Sequence, residues 1–117
     1  MTMYYNILET DEILNDLVFI AINAYDYTRD KQSGEKFLDL YNLTVANIAV
    51  FPDGFIGTSL YYRGYKIYLN PFGNYNLFFI IDESRDSVVM LRLLYQKQDW
   101  KTILHLENKY HNRGKEI

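Results

Sequence analysis

The chain contains no cysteine, which excludes a disulfide framework, a zinc–thiolate site and a thiol nucleophile. Long apolar runs are missing as well. No stretch approaches the roughly 20 residues that span a bilayer, and no basic leader precedes an apolar segment. The expectation is a soluble, cytoplasmic protein that does not enter a membrane. Histidine is scarce, and His105 and His111 stand six residues apart. That spacing does not place them on one helix face, so no metal pair is expected, and no cofactor. Gly54 and Gly57 do not make a phosphate loop, because they are not set between a strand and a helix with a lysine.

What is present favours one core with apolar surface to spare. The 117 residues are 49% apolar and 17% aromatic, which fits a single domain over 1–117. A domain this small hides only about two-thirds of its unfolded surface, so surplus apolar area is often covered by a partner. Tyrosine, with 12 copies, suits surfaces that are half core and half contact. The net charge of −3 is unevenly spread. Residues 1–53 carry nine acids and three bases, a balance of −6, and residues 54–117 carry nine bases and six acids, a balance of +3. A polyanion would therefore meet the second half, although helices also tolerate surface acids better than strands do, and that alone produces such an asymmetry.

Periodicity gives the order of elements. Met3 to Leu8 reads as a short strand, and Thr10 as the N-cap of a helix. Ile13, Leu14, Leu17, Val18, Ala21, Ala24 and Tyr25 follow at helical spacing. Glu9, Asp11, Glu12 and Asp16 around the helix start read mainly as complements to its dipole. Ser33 caps a second helix with Phe37, Leu38, Tyr41, Val45 and Ile48 as its buried stripe, closed by Pro52 and Gly54. After a loop over 53–57, Leu60 to Gly64 leads into a strand at Tyr65–Leu69, and Asn70 to Asn74 supply turn residues. Tyr75–Ile81 and Val88–Tyr95 are strand-length apolar runs separated by the polar, solvated turn Asp82–Ser87. A final helix from Asp99 to Tyr110 and a charged, frayed tail over 110–117 complete an α+β layout, β-α-α-β-β-β-α. In it a helical hairpin packs on a small antiparallel sheet.

This order resembles the RelE/ParE superfamily of toxins from bacterial type II toxin–antitoxin modules, the plasmid-stabilisation type. The local sequence agrees over roughly Tyr4 to Leu104. The hairpin ends in Phe51-Pro52, a Gly64-Tyr65-Lys66 strand follows, and Asn74-Tyr75 opens an apolar strand. The last strand, Leu91 to Trp100, reads Leu-Arg-Leu-Leu-Tyr-Gln-Lys-Gln-Asp-Trp. In the RNA-cleaving branch the resemblance implies basic side chains around a scissile phosphate, with a strand-borne Arg at the centre. Fixed guanidinium donors suit the charge that grows on a phosphorane-like transition state. The position for that Arg is Asn76 here, and a second Arg position holds Lys97. The set left for such a ribonuclease is Arg63, Lys66, Tyr75 and Lys97, and it is incomplete.

Arg92 and the Gln98-Asp99-Trp100 ending resemble the ParE branch, whose toxins inhibit DNA gyrase by binding. On that reading Arg92, Tyr95, Lys97 and Trp100 are contact or scaffold elements. Strand alternation puts Arg92 on one face with Val88, Met90 and Leu94. An arginine in such a row is costly unless paired, so an ion pair with an acid and a partner-facing role both stand. The resemblance implies a toxin neutralised by a cognate antitoxin and a target such as DNA gyrase. The alternatives are a ribosome-dependent mRNA endoribonuclease and a family member that has lost its toxicity.

Overall fold

The computed structural model describes residues 4–28 and 31–104. Strand β1 (Asn6–Glu9) leads into helix α1 (Asp11–Thr28), which helix α2 (Lys31–Val50) follows. A 3-10 turn at Pro52–Gly54 ends the helical part, and four strands come next: β2 (Ile56–Tyr62), β3 (Tyr65–Phe72), β4 (Tyr75–Asp82) and β5 (Ser87–Tyr95). Helix α3 (Trp100–Ile103) closes the described chain. The sheet order is β1-β5-β4-β3-β2. β1 runs parallel to β5, from Asn6 opposite Ser87 to Glu9 opposite Met90, and the other pairs are antiparallel.

The α+β class stands, with one strand more than the sequence order contained. The extra strand is β2, in the stretch read as loop and lead-in. Gly57, Thr58 and Ser59 break its alternation, and its register against β3 shifts between Gly57 and Tyr61. β3 runs on through Asn70 and Pro71, so the turn before β4 shrinks to Gly73 and Asn74, with Gly73 at a φ of +59°. The parallel β1–β5 pair makes the sheet mixed. The rest of the helix expected to reach Tyr110, the 110–117 tail and the His105/His111 pair lie outside the described residues.

Thr10 caps α1 as its position requires, with its Oγ1 accepting the Ile13 amide at 3.1 Å. α2 starts two residues before the expected cap. Ser33 sits in its first turn and donates to the Ala24 carbonyl at 3.1 Å, tying the two helices together. At their crossing, a Cβ on Gly34 would stand 3.0 Å from the Ala21 carbonyl oxygen. α1 buries Ile13, Leu17 and Ile20, while Leu14 and Val18 of the expected stripe face outward. On α2, Tyr41 and Ile48 are buried and Leu38 is not. The Tyr41 hydroxyl donates to Glu9 Oε2 at 2.7 Å, and burial first, then this bond, pushes its pKa up.

Alternate residues of β4 feed two cores. Leu77 and Phe79 meet α1 and α2 on one face, together with Val88, Met90 and Leu93. Phe78 and Ile80 meet α3 on the other, with Leu91, Leu94 and Leu104. Phe78 and Phe79 are both fully buried, and burial of each contributes about 1.5–3 kcal/mol.

Candidate functional site

Strand β5 carries a bulge where its arginine lies. Phe78 faces Arg92 but Phe79 faces Met90, so Leu91 is the extra residue on β5. The bulge resets alternation: Met90 and Leu93 lie on the helical-hairpin side, and Leu91 and Leu94 on the other. The expected grouping of Arg92 with Val88 and Met90 on one face is thereby corrected, while regular register keeps Arg92 in step with Leu94. Arg92 meets the second turn of α1. Its Nε donates to Asp16 Oδ2 at 2.7 Å and its Nη2 to Asp16 Oδ1 at 3.0 Å. The same carboxylate accepts the Leu93 amide at 3.0 Å, and Thr10 Oγ1 donates to the Leu91 carbonyl at 2.9 Å. Backbone groups disturbed by the bulge thus find partners on α1. The bond to Asp16 raises the Arg92 pKa against the cost of burial.

The ion pair that the sequence called for is therefore present, and its acid is Asp16. Position at the helix start suggests only a dipole complement for Asp16 and Glu9, whereas each carboxylate holds a specific side chain, Arg92 and Tyr41. A signal did exist: Asp16 stands three residues after Ile13 and four before Ile20, on the edge of the buried stripe, where an acid needs a base.

Beside this pair opens a cleft of about 250 Å³, lined among others by Asp16, Phe19, Tyr75, Arg92, Tyr95 and Gln98. The Tyr75 and Tyr95 rings lie 4.7 Å apart. Burial, and next its hydrogen bond with Tyr95, pushes the Tyr75 hydroxyl up to about 12. The chain beyond β5 is tied in place. Gln98 Oε1 accepts the Tyr95 amide at 2.8 Å, and Gln96 Nε2 donates to the carbonyls of Gly73 and Tyr75, each at 3.2 Å. Lys97 is exposed on the next turn, in a depression with Asn74 and Tyr95. Trp100 starts α3 with its ring 5.0 Å from that of Phe78, part of the second core, and Lys101 lies over it at 5.8 Å. Asp99 caps this turn, accepting from the Thr102 hydroxyl at 2.7 Å.

Arg92, Tyr75, Tyr95 and Lys97 are thus gathered at one end of the sheet. Arg63 and Lys66 belong to the β2–β3 hairpin. Arg63, at a φ of 51° in its turn, lies 5.4 Å over the Tyr62 ring, and Lys66 Nζ is 5.5 Å from the Tyr68 ring. Phe72 is the β3 residue opposite Tyr75, and Lys66 lies six residues back from it, about 20 Å at strand rise. The four phosphate-handling candidates are therefore not brought together. Arg63 instead lines a separate cavity of about 350 Å³ with Thr10, Glu12, Tyr62 and the other side of Arg92.

The polar turn after β4 also departs from the sequence reading. Asp82 is buried rather than solvated, accepting from Ser84 Oγ at 2.6 Å and Tyr65 Oη at 3.3 Å. Those bonds, Ser84 first, with Arg85 nearby, hold its carboxyl below its ordinary value. Among the described residues no group of three acidic or histidine side chains is placed to hold a metal, and no helix is long and apolar enough to cross a membrane.

This arrangement, a helical hairpin on one face of a five-stranded mixed sheet with a short helix on the other, has a counterpart among solved structures. A solved chain described as the chromosomal ParDE toxin–antitoxin system from P. aeruginosa superposes with a TM-score of 0.60. The match covers 80% of this chain and 96% of that one at 14% identity, so the two chains share a fold. A chain of the RelBE2 toxin–antitoxin complex from Mycobacterium tuberculosis matches over 84% of this chain and 98% of that one, at 17% identity. Its TM-score is 0.46. No protein-family model matches the chain, and no curated protein matches it by sequence.

Proposed function

We propose that the protein is the toxin of a bacterial type II toxin–antitoxin module, held inactive by a cognate antitoxin. It inhibits growth by binding a cellular target such as DNA gyrase. The observation that carries the binding mode is the state of Arg92. Two of its donor groups are committed to Asp16, so it is a fixed element of a cleft wall and not a loose guanidinium awaiting a phosphate. The remaining basic candidates lie at two ends of the sheet, which favours contact over phosphoryl chemistry. Tyr95 and Lys97 supply the exposed contacts, and Trp100 supports them from the second core.

A supercoiling assay with purified protein tests the target. Loss of gyrase supercoiling at low excess is the expected result, and unchanged supercoiling at high excess removes gyrase as the target. Transcript mapping after induction tests the mode, since ribosome-dependent mRNA cleavage would replace binding with catalysis.

A further inference from the structure

Tyr75 and Tyr95 are opposite residues of β4 and β5, and antiparallel pairing holds such side chains against each other. Their ring centroids lie 4.7 Å apart at an angle of 37°, so carbons of one ring touch carbons of the other. The two hydroxyls share a hydrogen bond, which brings together the ring edges beside both oxygens. Neither residue is loose. Gln96 Nε2 donates to the Tyr75 carbonyl, Gln98 Oε1 accepts the Tyr95 amide, and the Phe37 ring packs edge-on to Tyr75 at 6.2 Å. Tyr75 is half-buried and Tyr95 is 44% exposed, so one ring of the pair is open to a reagent while its neighbour is held in place behind it.

The composition leaves this pair open to one kind of chemistry. The chain has no cysteine to consume an oxidising equivalent, and Met90 is fully buried. A phenol gives up an electron and a proton together, and two phenoxyl radicals in contact join through ring carbon. We propose that Tyr75 and Tyr95 form a site of oxidative coupling, which a peroxidase fed with hydrogen peroxide converts into a dityrosine crosslink between β4 and β5. Tyr95 gives up the first electron, and its proton passes to water. A hydrogen atom moving across the shared hydrogen bond carries the radical to Tyr75, and a second oxidation of Tyr95 leaves a radical on each ring. A carbon–carbon bond then forms between the positions next to the two oxygens. The two ring hydrogens displaced there move to the oxygens and restore both phenols. The pair has lost two electrons and two protons, and one peroxide takes them all and becomes two waters.

Contact before reaction favours coupling within one chain over coupling between two. Rings already side by side need no encounter, and an oriented intramolecular step outruns a bimolecular one at any ordinary protein concentration. Tyr75 and Tyr95 both line the cleft beside Arg92, so the crosslink pins its wall and ends the free rotation of the exposed ring. It also ties residues 75 and 95 together in the unfolded chain, which stabilises the fold. The coupling does not depend on which target the cleft binds.

The test treats the full chain with a haem peroxidase and an equimolar amount of hydrogen peroxide. The expected product is a monomer on a denaturing gel, lighter by two hydrogens and with the blue fluorescence of dityrosine. In its tryptic digest the peptide that contains Tyr75 is joined to the peptide that contains Tyr95. Tyr75→Phe and, independently, Tyr95→Phe each cut the intramolecular yield at least tenfold with an unchanged circular dichroism spectrum. Both variants keep the ring and lose only the hydroxyl, so the fold survives the change. Tyr4→Phe, at a position 63% exposed, leaves the yield as it was. Crosslinks between chains in place of the intramolecular one, a crosslink mapped to other tyrosines, or a yield indifferent to both Phe variants would each overturn the proposal. The assay contains neither gyrase nor cells, so its failure and that of the toxin reading are separate results.

Discussion

Asp16 on α1 grips Arg92 on β5 with two hydrogen bonds, of 2.7 and 3.0 Å, and takes the Leu93 amide with a third of 3.0 Å. One carboxylate therefore serves a guanidinium and the backbone of a bulge. Removing it by Asp16→Ala leaves a partly exposed cation and an amide without that acceptor. The expected loss is about 1–3 kcal/mol, at the lower end for an exposed pair. Arg92→Met costs less, and the double variant loses less than the sum, as read from urea unfolding in a double-mutant cycle. Additive losses would mean that the pair does not couple.

Gly34 lets α1 and α2 cross closely. A side chain there meets the Ala21 carbonyl at 3.0 Å, and a helix backbone gives little. Gly34→Val is expected to destabilise by about 1–3 kcal/mol through overpacking, despite removing a glycine from a helix. A thermal midpoint equal to or above that of the parent chain would contradict the close crossing.

Alkaline pH loosens the fold through Tyr75. Its hydroxyl is pushed up to about 12 from an ordinary value of 10.0. Between these values the unfolded chain has released the proton and the folded chain has kept it, so the unfolded state binds fewer protons and stability falls as pH rises. Below pH 10 the contribution is complete. The urea midpoint is expected to drop between pH 10 and 12. Tyr75→Phe flattens part of that drop and leaves the rest to Tyr41, which burial also pushes up.

Variants at the two ends of the sheet test where the proposed site lies. Lys97→Ala alters an exposed side chain and is expected to relieve growth arrest at least tenfold in viable counts, with unfolding unchanged within about 0.5 kcal/mol. Tyr95→Ala is expected to relieve it as well, while also losing the ring contact with Tyr75, about 0.5–1.5 kcal/mol. Arg63→Ala and Lys66→Ala leave the arrest intact. The reverse pattern would move the site to the β2–β3 hairpin.

Local signals in the sequence were read correctly where they were strong. Thr10 has the oxygen that a helix start needs, and β4 and β5 are dense in β-branched and aromatic residues, so both came out at nearly their observed lengths. Arg92 in an apolar run demanded an acid on charge cost alone. Which acid was beyond reach, because Asp16 lies 76 positions away and only the assembled sheet brings it near. The bulge was illegible for the same reason: it depends on how β4 and β5 align, not on β5 itself. β2 hid behind glycine and hydroxyl residues without alternation. α1 misled because apolar residues on both sides give periodicity no single face to choose.

The parallel pairing of β1 with β5 bears on how the protein is made. Thr10 reaches Leu91 across 81 positions, so the first strand and the cap of α1 wait for nearly the whole described chain before their partners exist. The helical hairpin relies on neighbours in sequence and can form during synthesis, whereas closing β1 onto β5 joins distant segments and comes late. The cleft around Arg92, whose walls come from α1 and β5, is therefore assembled only after β5 has left the ribosome, so its activity appears at the end of synthesis and not with the hairpin.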